Sequence, residues 1–276
     1  MYSVVILAYN EEVNIKECIE SVKHSDDIVI LDSCSTDSTV NIAKSYGVRV
    51  YNRTFDNYAS QRNYALNEID YKNKWILMLD ADERLTEDFE QELLLKLNRV
   101  NEKVALLRFR RKDFFLNKWI KRSSGYPTWF GRVIKKGAVK VEREINEEYV
   151  TEGDIEYLKE HILHYPFNKG LDHWLEKHNK YSSMEAEYLT SRLFEENINY
   201  KNLLSTDPVV KRRILKQIFY RLPLRSLLVF LYLYVFRLGV LDGYPGYLFC
   251  RLRSLYEYMI TIKIKEILTQ RKNIGN

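Results

Sequence analysis

The stretch Trp75-Ile76-Leu77-Met78-Leu79-Asp80-Ala81-Asp82-Glu83 constrains this chain more than any other. Five consecutive apolar residues, too few for a core helix, read as a strand buried on both faces. The strand runs straight into three carboxylates within four positions. A buried parallel strand delivers its C-terminal end to the crevice where open α/β sheets bind ligands. Asp80 and Asp82 alternate on an extended backbone, so both can face one side and share a hard divalent cation. A lone Asp-x-Asp is more often a solvated acidic turn, so the sequence upstream decides.

Upstream, strands and helices alternate. Ser3 to Ala8 is an apolar strand ending in the turn Tyr9-Asn10-Glu11-Glu12, and Ile15, Cys18, Ile19 and Val22 follow at helical spacing. Ile28 to Leu31 is a second buried strand ending at Asp32, followed by the polar loop Ser33-Cys34-Ser35-Thr36-Asp37, which suits helix N-capping. Gly47 is placed as a C′ residue, Val48 to Tyr51 makes a third strand, and Tyr58 to Leu66 a third helix. After the Trp75 strand, Thr86 opens a helix with Phe89, Leu93, Leu94 and Leu97 on one face. This order means parallel crossovers and a doubly wound, mostly parallel α/β sheet. The strand ends converge on one edge, bringing Asn10-Glu11, Asp32, Arg53 and Asp80-Asp82 together.

There is no Gly-x-Gly-x-x-Gly after the first strand and no Walker-type lysine loop, which disfavours a dinucleotide-binding Rossmann domain and a P-loop NTPase. Taken singly, Asp32 reads as an ordinary loop carboxylate and Arg62 as an exposed helix arginine. Together with Asp80 and Asp82 they outline a pocket for a nucleoside, a diphosphate and a metal. The net charge of +5 is too weak to argue for nucleic acid but fits phosphorylated substrates or an anionic membrane. Three widely spaced cysteines without a Cys-x-x-Cys pair suit a reducing cytosol and no zinc site. The first apolar run has no basic region before it, so no signal peptide is expected.

Ala8-Tyr9-Asn10-Glu11-Glu12, Asp32-Ser33-Cys34-Ser35-Thr36-Asp37-Ser38-Thr39, Gln61-Arg62-Asn63-Tyr64-Ala65-Leu66 and Asp80-Ala81-Asp82-Glu83 resemble the successive motifs of glycosyltransferase family 2. Within it, the chain is most similar to the bacterial lipopolysaccharide-core glucosyltransferase-like branch. The likeness extends more loosely through Phe130-Gly131-Arg132, Asn146-Glu147, His164-Tyr165, Lys177 to Ser182 and Leu241-Asp242-Gly243. The resemblance implies a GT-A fold, a nucleotide-sugar donor, typically a UDP-sugar, and inversion at the anomeric carbon. By the same resemblance Ala8, Tyr9, Asn10 and Glu11 line the nucleotide pocket and Asp32 reads the base. Arg62 lies beside the phosphates, Asp80 near ribose and metal, and Asp82 ligates Mg2+ or Mn2+. Glu147 matches the glutamate of the branch's His-Glu pair, which assigns it as the general base, with Glu148 one slip away. Relatives carry Gly where this chain has Cys34 and Ser38, so a locally different backbone is expected there.

Domain limits follow. Residues 1–165 form the GT-A domain, with 1–100 the nucleotide-sugar half and 101–165 the acceptor half. In the latter, aromatics interleave with the basic run Arg108 to Lys112, and His161 and His164 read as core or hydrogen-bonding histidines rather than a metal pair. Residues 166–276 form a helical extension, membrane-associated or oligomerising, which could give a homo-oligomer. One stripe of its first helix is Leu171, Trp174, Leu175, His178, Tyr181, Met184, Tyr188 and Leu189, and Lys211 to Tyr220 is short, basic and amphipathic. The uncharged run Ser226 to Phe236 falls well short of the ~20 apolar residues of a spanning helix. Its basic flanks suit a helix lying on an anionic cytoplasmic leaflet, with burial in a core or interface the competing reading. The chain is thus expected to be a cytoplasmic, peripherally bound glycosyltransferase acting on a glycan or lipid-linked acceptor in lipopolysaccharide synthesis, with no nucleic acid partner. A sugar nucleotidyltransferase or a non-catalytic nucleotide-binding protein are the alternatives.

Overall fold

A computed structural model describes residues 1–142, 148–193, 214 and 218–274. The chain divides into two compact units, 1–114 with 126–168, and 115–125 with 169–276. Glu144, Asn146 and Glu147 lie outside the described residues, as does most of the expected Lys211 to Tyr220 helix.

The first unit is built on a mixed sheet. β1 (Ser3–Ala8), β2 (Ile28–Asp32), β3 (Arg49–Asn52) and β4 (Trp75–Asp80) run parallel, joined through α1 (Ile15–Ser21), α2 (Thr39–Ser45) and α3 (Tyr58–Asn67). The rest of this sheet comes from β5 (Glu83–Arg84), β6 (Val104–Phe115), β8 (Trp129–Lys135) and β11 (Asp154–His164), with α4 (Glu87–Leu97) between β5 and β6, while the two-residue β7 (Lys118–Trp119) belongs to the second unit. The order across the sheet is β3-β2-β1-β4-β8-β6-β11-β5. β8 runs antiparallel to both β4 and β6, β11 parallel to β6, and β5 antiparallel to β11. This is the α/β architecture expected of a GT-A fold, parallel in its first half and mixed in its second.

The uninterrupted apolar runs follow from helices on both faces. Val4, Ile6, Leu77 and Leu79 pack into one core with Ile15, Ile19 and Phe89. Val5, Ile76 and Met78, one residue out of phase, pack into the other with Ala65 and Leu66 of α3. Each such side chain contributes about 1.5–3 kcal/mol by leaving water. Two helix starts are capped: Asn57 accepts from the Ser60 N–H (2.8 Å) and Thr86 from that of Phe89 (3.2 Å). Gly47 stands just past α2 with φ +70°, the left-handed C′ conformation.

The second unit contains α5 (Gly170–Tyr188), α6 (Arg225–Leu231) and α7 (Gly243–Ile274). Its core joins Ala186 and Leu189 to Ile260 and Ile264. The stripe expected on α5 is displaced: Leu171 and Met184 are exposed, and the buried residues are Trp174, Ser182, Glu185 and Ala186. Polar pairing moves it. Tyr220 donates to Glu185 (2.9 Å), and Lys263 Nζ donates to Ser182 Oγ (2.8 Å). Segment 115–125 joins this unit because Asp242 Oδ2 accepts from the backbone N–H groups of Arg122 and Ser123 and from the Ser123 hydroxyl (2.7–2.8 Å).

On α5, His178 stacks on Trp174 with centroids 3.6 Å apart and lies edge-on to Tyr256. Burial pushes its pKa down to about 4, so the folded state holds it neutral. Stability from this site is complete above the unfolded value near 6.5 and is lost as pH falls toward 4. Urea midpoints between pH 7.5 and 5 should register a loss of about 1–2 kcal/mol, discounted for partial exposure, that His178→Phe removes. Equal pH dependence in the two proteins would contradict this.

Candidate active site

The loops after β1 and β2 are stitched into one surface. The Asn10 N–H donates to Ser35 Oγ (2.8 Å), that of Glu11 to Thr39 Oγ1 (2.7 Å), and that of Glu12 to Asp37 Oδ2 (3.1 Å). Asn10 Oδ1 accepts in return from the Thr36 N–H (2.8 Å). Asp32 is buried and accepts from both the N–H and the hydroxyl of Ser35; Ala8 is buried and Tyr9 exposed. Cys34 has φ +64°, the left-handed region that glycine favours, whereas Ser38 has φ −77°. The loop thus keeps a glycine-type backbone at position 34 while carrying a thiol.

At the end of β3, Arg53 binds both carboxylate oxygens of Asp56 (2.9 and 2.7 Å) and so anchors the start of α3. Arg62 is not an exposed helix arginine: it is 3% exposed, and its Nη2 donates to Asp80 Oδ1 (3.0 Å). The other Asp80 oxygen accepts from Arg132 Nη1 on β8 (2.8 Å). Burial works to raise the Asp80 carboxyl, but Arg132 and Arg62 hold it well below the usual carboxylate range.

From Asp80 a line of alternating charge continues. Arg132 Nη1 also donates to Glu83 Oε2 (3.0 Å), whose Oε1 accepts from Arg111 Nη1 on β6 (3.1 Å). Arg111 pairs with Asp113 (3.2 Å), Asp113 Oδ1 lies 2.6 Å from His164 Nδ1, and His164 Nε2 lies 3.4 Å from Asp82 Oδ2. Phe130 lies under both guanidinium groups, 4.2 Å from Arg111 and 5.6 Å from Arg132.

Strand pairing delivers these residues. In the β5–β11 ladder Glu83 stands opposite His164, and in the β6–β11 ladder Asp113 stands opposite the same histidine. Arg84 fixes the turn by donating to the carbonyls of Ala81 (2.7 Å) and Glu83 (2.8 Å), and the Tyr165 N–H donates to the Asp82 carbonyl (2.9 Å). Burial and Arg111 each lower the His164 pKa, yet Asp82 and Asp113 lift it to about 9. Two carboxylates face this imidazole, and a metal ion binding there would have to displace its proton. The Asp82 oxygen suits Mn2+ or Mg2+, and the imidazole nitrogen beside it is a donor that Mn2+ accepts more readily than the harder Mg2+. Among the described residues no cluster of three or more metal-ligating side chains occurs, so such an ion would take its other ligands from substrate and water.

The structure therefore brings Arg62, Asp80 and Asp82 to one strand end, beside the stitched loop carrying Asn10, Glu11 and Asp32. Glu148 opens β10 (Glu148–Val150), which pairs with β9 (Lys140–Glu142), and is exposed. Sequence reasoning missed the roles of Arg132, Arg111, Asp113 and His164. A usable signal existed in the period-two spacing of Arg111 and Asp113, which puts both on one face of a strand. His161 is engaged elsewhere, its Nε2 2.5 Å from the Tyr126 hydroxyl. Two open surface clefts of about 260 and 350 Å³ lie away from these residues, one along α4 and one by Asp27 and Arg49.

Glu83→Gln should expose how far the fold depends on this line, since it leaves the buried Arg132 and the half-buried Arg111 without their shared counter-charge. A loss of about 3–5 kcal/mol in urea unfolding is expected, and a loss under 1 kcal/mol would show the network to be replaceable.

Comparison with known proteins adds the family. The model of "Glycosyl transferase family 2" matches residues 3–171, more than half of the chain. The lipopolysaccharide core biosynthesis glycosyltransferase LpsC of Rhizobium meliloti is 29% identical over 67% of this chain and 70% of its own length. An uncharacterized glycosyltransferase of Rickettsia bellii is 40% identical, but over only 33% of this chain and 31% of that protein. Among solved structures, glucosyl-3-phosphoglycerate synthase from Mycobacterium tuberculosis, with Mn2+, UDP and glucosyl-3-phosphoglycerate, is 24% identical over 46% of this chain and 47% of that one. Its TM-score of 0.35 is too low for the likeness to bear on the site. On the family match, this chain belongs to glycosyl transferase family 2.

Proposed function

We propose that this chain is a metal-dependent inverting glycosyltransferase moving a sugar from a nucleoside-diphosphate donor, UDP-linked by preference, to a hydroxyl of a cell-envelope glycan or glycolipid. One observation carries the reading: the Asp82–His164 pair sits beside an Asp80 already neutralised by Arg62 and Arg132. The similarity to the Rhizobium lipopolysaccharide core biosynthesis glycosyltransferase supports a lipopolysaccharide-type acceptor. The loop after β1 argues against a nucleotidyltransferase. Its amides at Asn10, Glu11 and Glu12 are spent on Ser35, Thr39 and Asp37 rather than left to cradle phosphates.

In this reading Asp32 and the loop around Ala8 to Glu11 receive the nucleoside, and Arg62 sets the charge beside the diphosphate. Asp82 and His164 hold the divalent cation, with Asp113 fixing the imidazole so that Nε2 points at Asp82. When bound, that cation neutralises charge growing on the departing diphosphate as a Lewis acid. The acceptor hydroxyl attacks the anomeric carbon from the face opposite the leaving group, and a carboxylate takes its proton. Glu147 is the residue assigned to that proton.

Asp82→Asn and His164→Ala should each leave the fold intact. Each should weaken Mn2+ binding by calorimetry and cut Mn2+-dependent UDP release from UDP-sugar by about 10²–10³-fold, the usual cost of one group stabilising transition-state charge. Undiminished Mn2+-dependent release in both variants would remove the metal assignment. Glu147→Gln keeps shape but not basicity, so transfer to acceptor should fall about 10²–10⁴-fold with donor affinity intact. Should Glu148→Gln prove the inactive variant instead, the base is one position further on.

A further inference from the structure

Between Leu222 and Tyr247 the second unit turns its charge inward and its apolar surface outward. Thirteen large apolar side chains are exposed between Leu222 and Tyr247, with Phe236 (79%), Leu224 (73%) and Leu241 (64%) among the most exposed. Only three charged residues occur in that span. Arg225 is buried against Glu257 (2.9 Å), Asp242 is buried under segment 115–125, and Arg237 is half-buried. The apolar positions follow helical spacing, since Leu227, Leu228, Leu231, Tyr232, Val235 and Phe236 recur at intervals of three and four along one face.

The turn that presents this face is preformed. Leu238 takes the left-handed backbone region at φ +59°, leaving its side chain exposed. A Cβ at Gly239 would come within 2.6 Å of the Leu233 carbonyl, and one at Gly246 within 2.5 Å of the Gly239 carbonyl. Such close backbone contact leaves little room for the apolar residues to fold away. Among the described residues no single helix is long and apolar enough to cross a membrane. Residues Arg225–Phe236 and Gly239–Asn273 pass together only as a pair bent by 72°. That geometry suits a wedge entering one face of a bilayer.

The rim selects the occupant. Across 115–125 and 218–256 the sole acidic residue is the buried Asp242, whereas Lys118, Lys121, Arg122 and Arg221 are exposed. Lys118 Nζ lies 3.3 Å from where a Gly243 side chain would begin, beside the exposed Leu241 and Tyr244. A second copy of this chain meeting the face symmetrically would set these like charges against each other. An anionic lipid surface meets both the apolar face and the basic rim. We infer that the bent segment Leu222–Tyr247, with the basic rim at Lys118, Lys121 and Arg122, is a docking wedge for an anionic bilayer surface.

Flotation of the full chain with vesicles tests this, comparing equal parts phosphatidylglycerol and phosphatidylcholine with pure phosphatidylcholine. The chain should float with the anionic vesicles and bind the neutral ones more weakly. Phe236→Asp combined with Leu241→Asp should weaken anionic binding at least about 100-fold, by removing two large apolar insertions. Its thermal transition and UDP release should not change, which separates this inference from the proposed reaction. Lys121→Glu with Arg122→Glu, which leaves the apolar face untouched, should weaken binding to anionic vesicles about tenfold or more. Failure of the wild-type chain to float, or flotation unaltered in both double variants, would overturn the inference. So would light scattering that finds a dimer which Phe236→Asp with Leu241→Asp splits, because the face would then belong to a second copy.

Discussion

Glu83 is the point on which the geometry of the first unit turns. It is buried, receives Arg132 on one oxygen and Arg111 on the other, and also accepts the Asp80 N–H (3.0 Å). Packing four acids, three arginines and a histidine into one line, with Arg62, Glu83, Arg132 and His164 buried, is costly unless every charge has its counterpart. The order Arg62, Asp80, Arg132, Glu83, Arg111, Asp113, His164, Asp82 meets that demand, since each charge between the two ends lies between two of opposite sign. Apolar residues of similar volume would give as stable a core or a better one. What the ionic line supplies is position: it ties α3, β4, β5, β6, β8 and β11 to one register of charges.

That line also divides the work between two aspartates that look alike in sequence. Asp80 accepts a guanidinium on each oxygen, so a cation approaching it closely would be repelled by two positive charges already in place. Asp82 lies beyond the end of β4, in the turn held by Arg84, where its side chain meets the His164 imidazole. A guanidinium cannot yield its proton in a protein, whereas an imidazole can release one from Nε2 and become a ligand. On the proposed metal-dependent reading, the exchange of proton for metal is open at Asp82 and His164 and closed at Asp80 and Arg132. The strand alternation that invites Asp80 and Asp82 to share one ion stops at Asp80, where the strand itself stops.

Local signals carried most of the first hundred residues. Apolar runs bounded by polar turns set the strands, because a parallel strand covered on both faces has no polar side to confuse with a helix. Thr86 and Gly47 marked their helix ends by side-chain and backbone chemistry that acts within a few residues. Arg132, Arg111, Asp113 and His164 were less legible, since their meaning lies in ladders between strands 20 to 80 positions apart. Nothing local tells that His164 faces Glu83 across one strand pair and Asp113 across another. The α5 stripe shifted for a related reason: Lys263 and Tyr220, far along the chain, draw Ser182 and Glu185 inward over the apolar side chains nearby.

Register is where these distant choices become binding. On β11, Ile162 and His164 alternate onto one face, and Ile162 belongs to the same core as Phe89 and Leu77. On β6, Phe109 precedes Arg111 and Asp113 at the same spacing, packed edge-on against Phe89 at 5.1 Å between centroids. Slipping either strand by one residue would turn its core side chain to the wrong face together with its charged ones. The free energy that holds Phe109 and Ile162 out of water therefore also holds Arg111, Asp113 and His164 in line. An apolar residue two positions before a charged one, on a strand sharing one core, is thus how this chain converts undirected burial into the directed geometry of its charges.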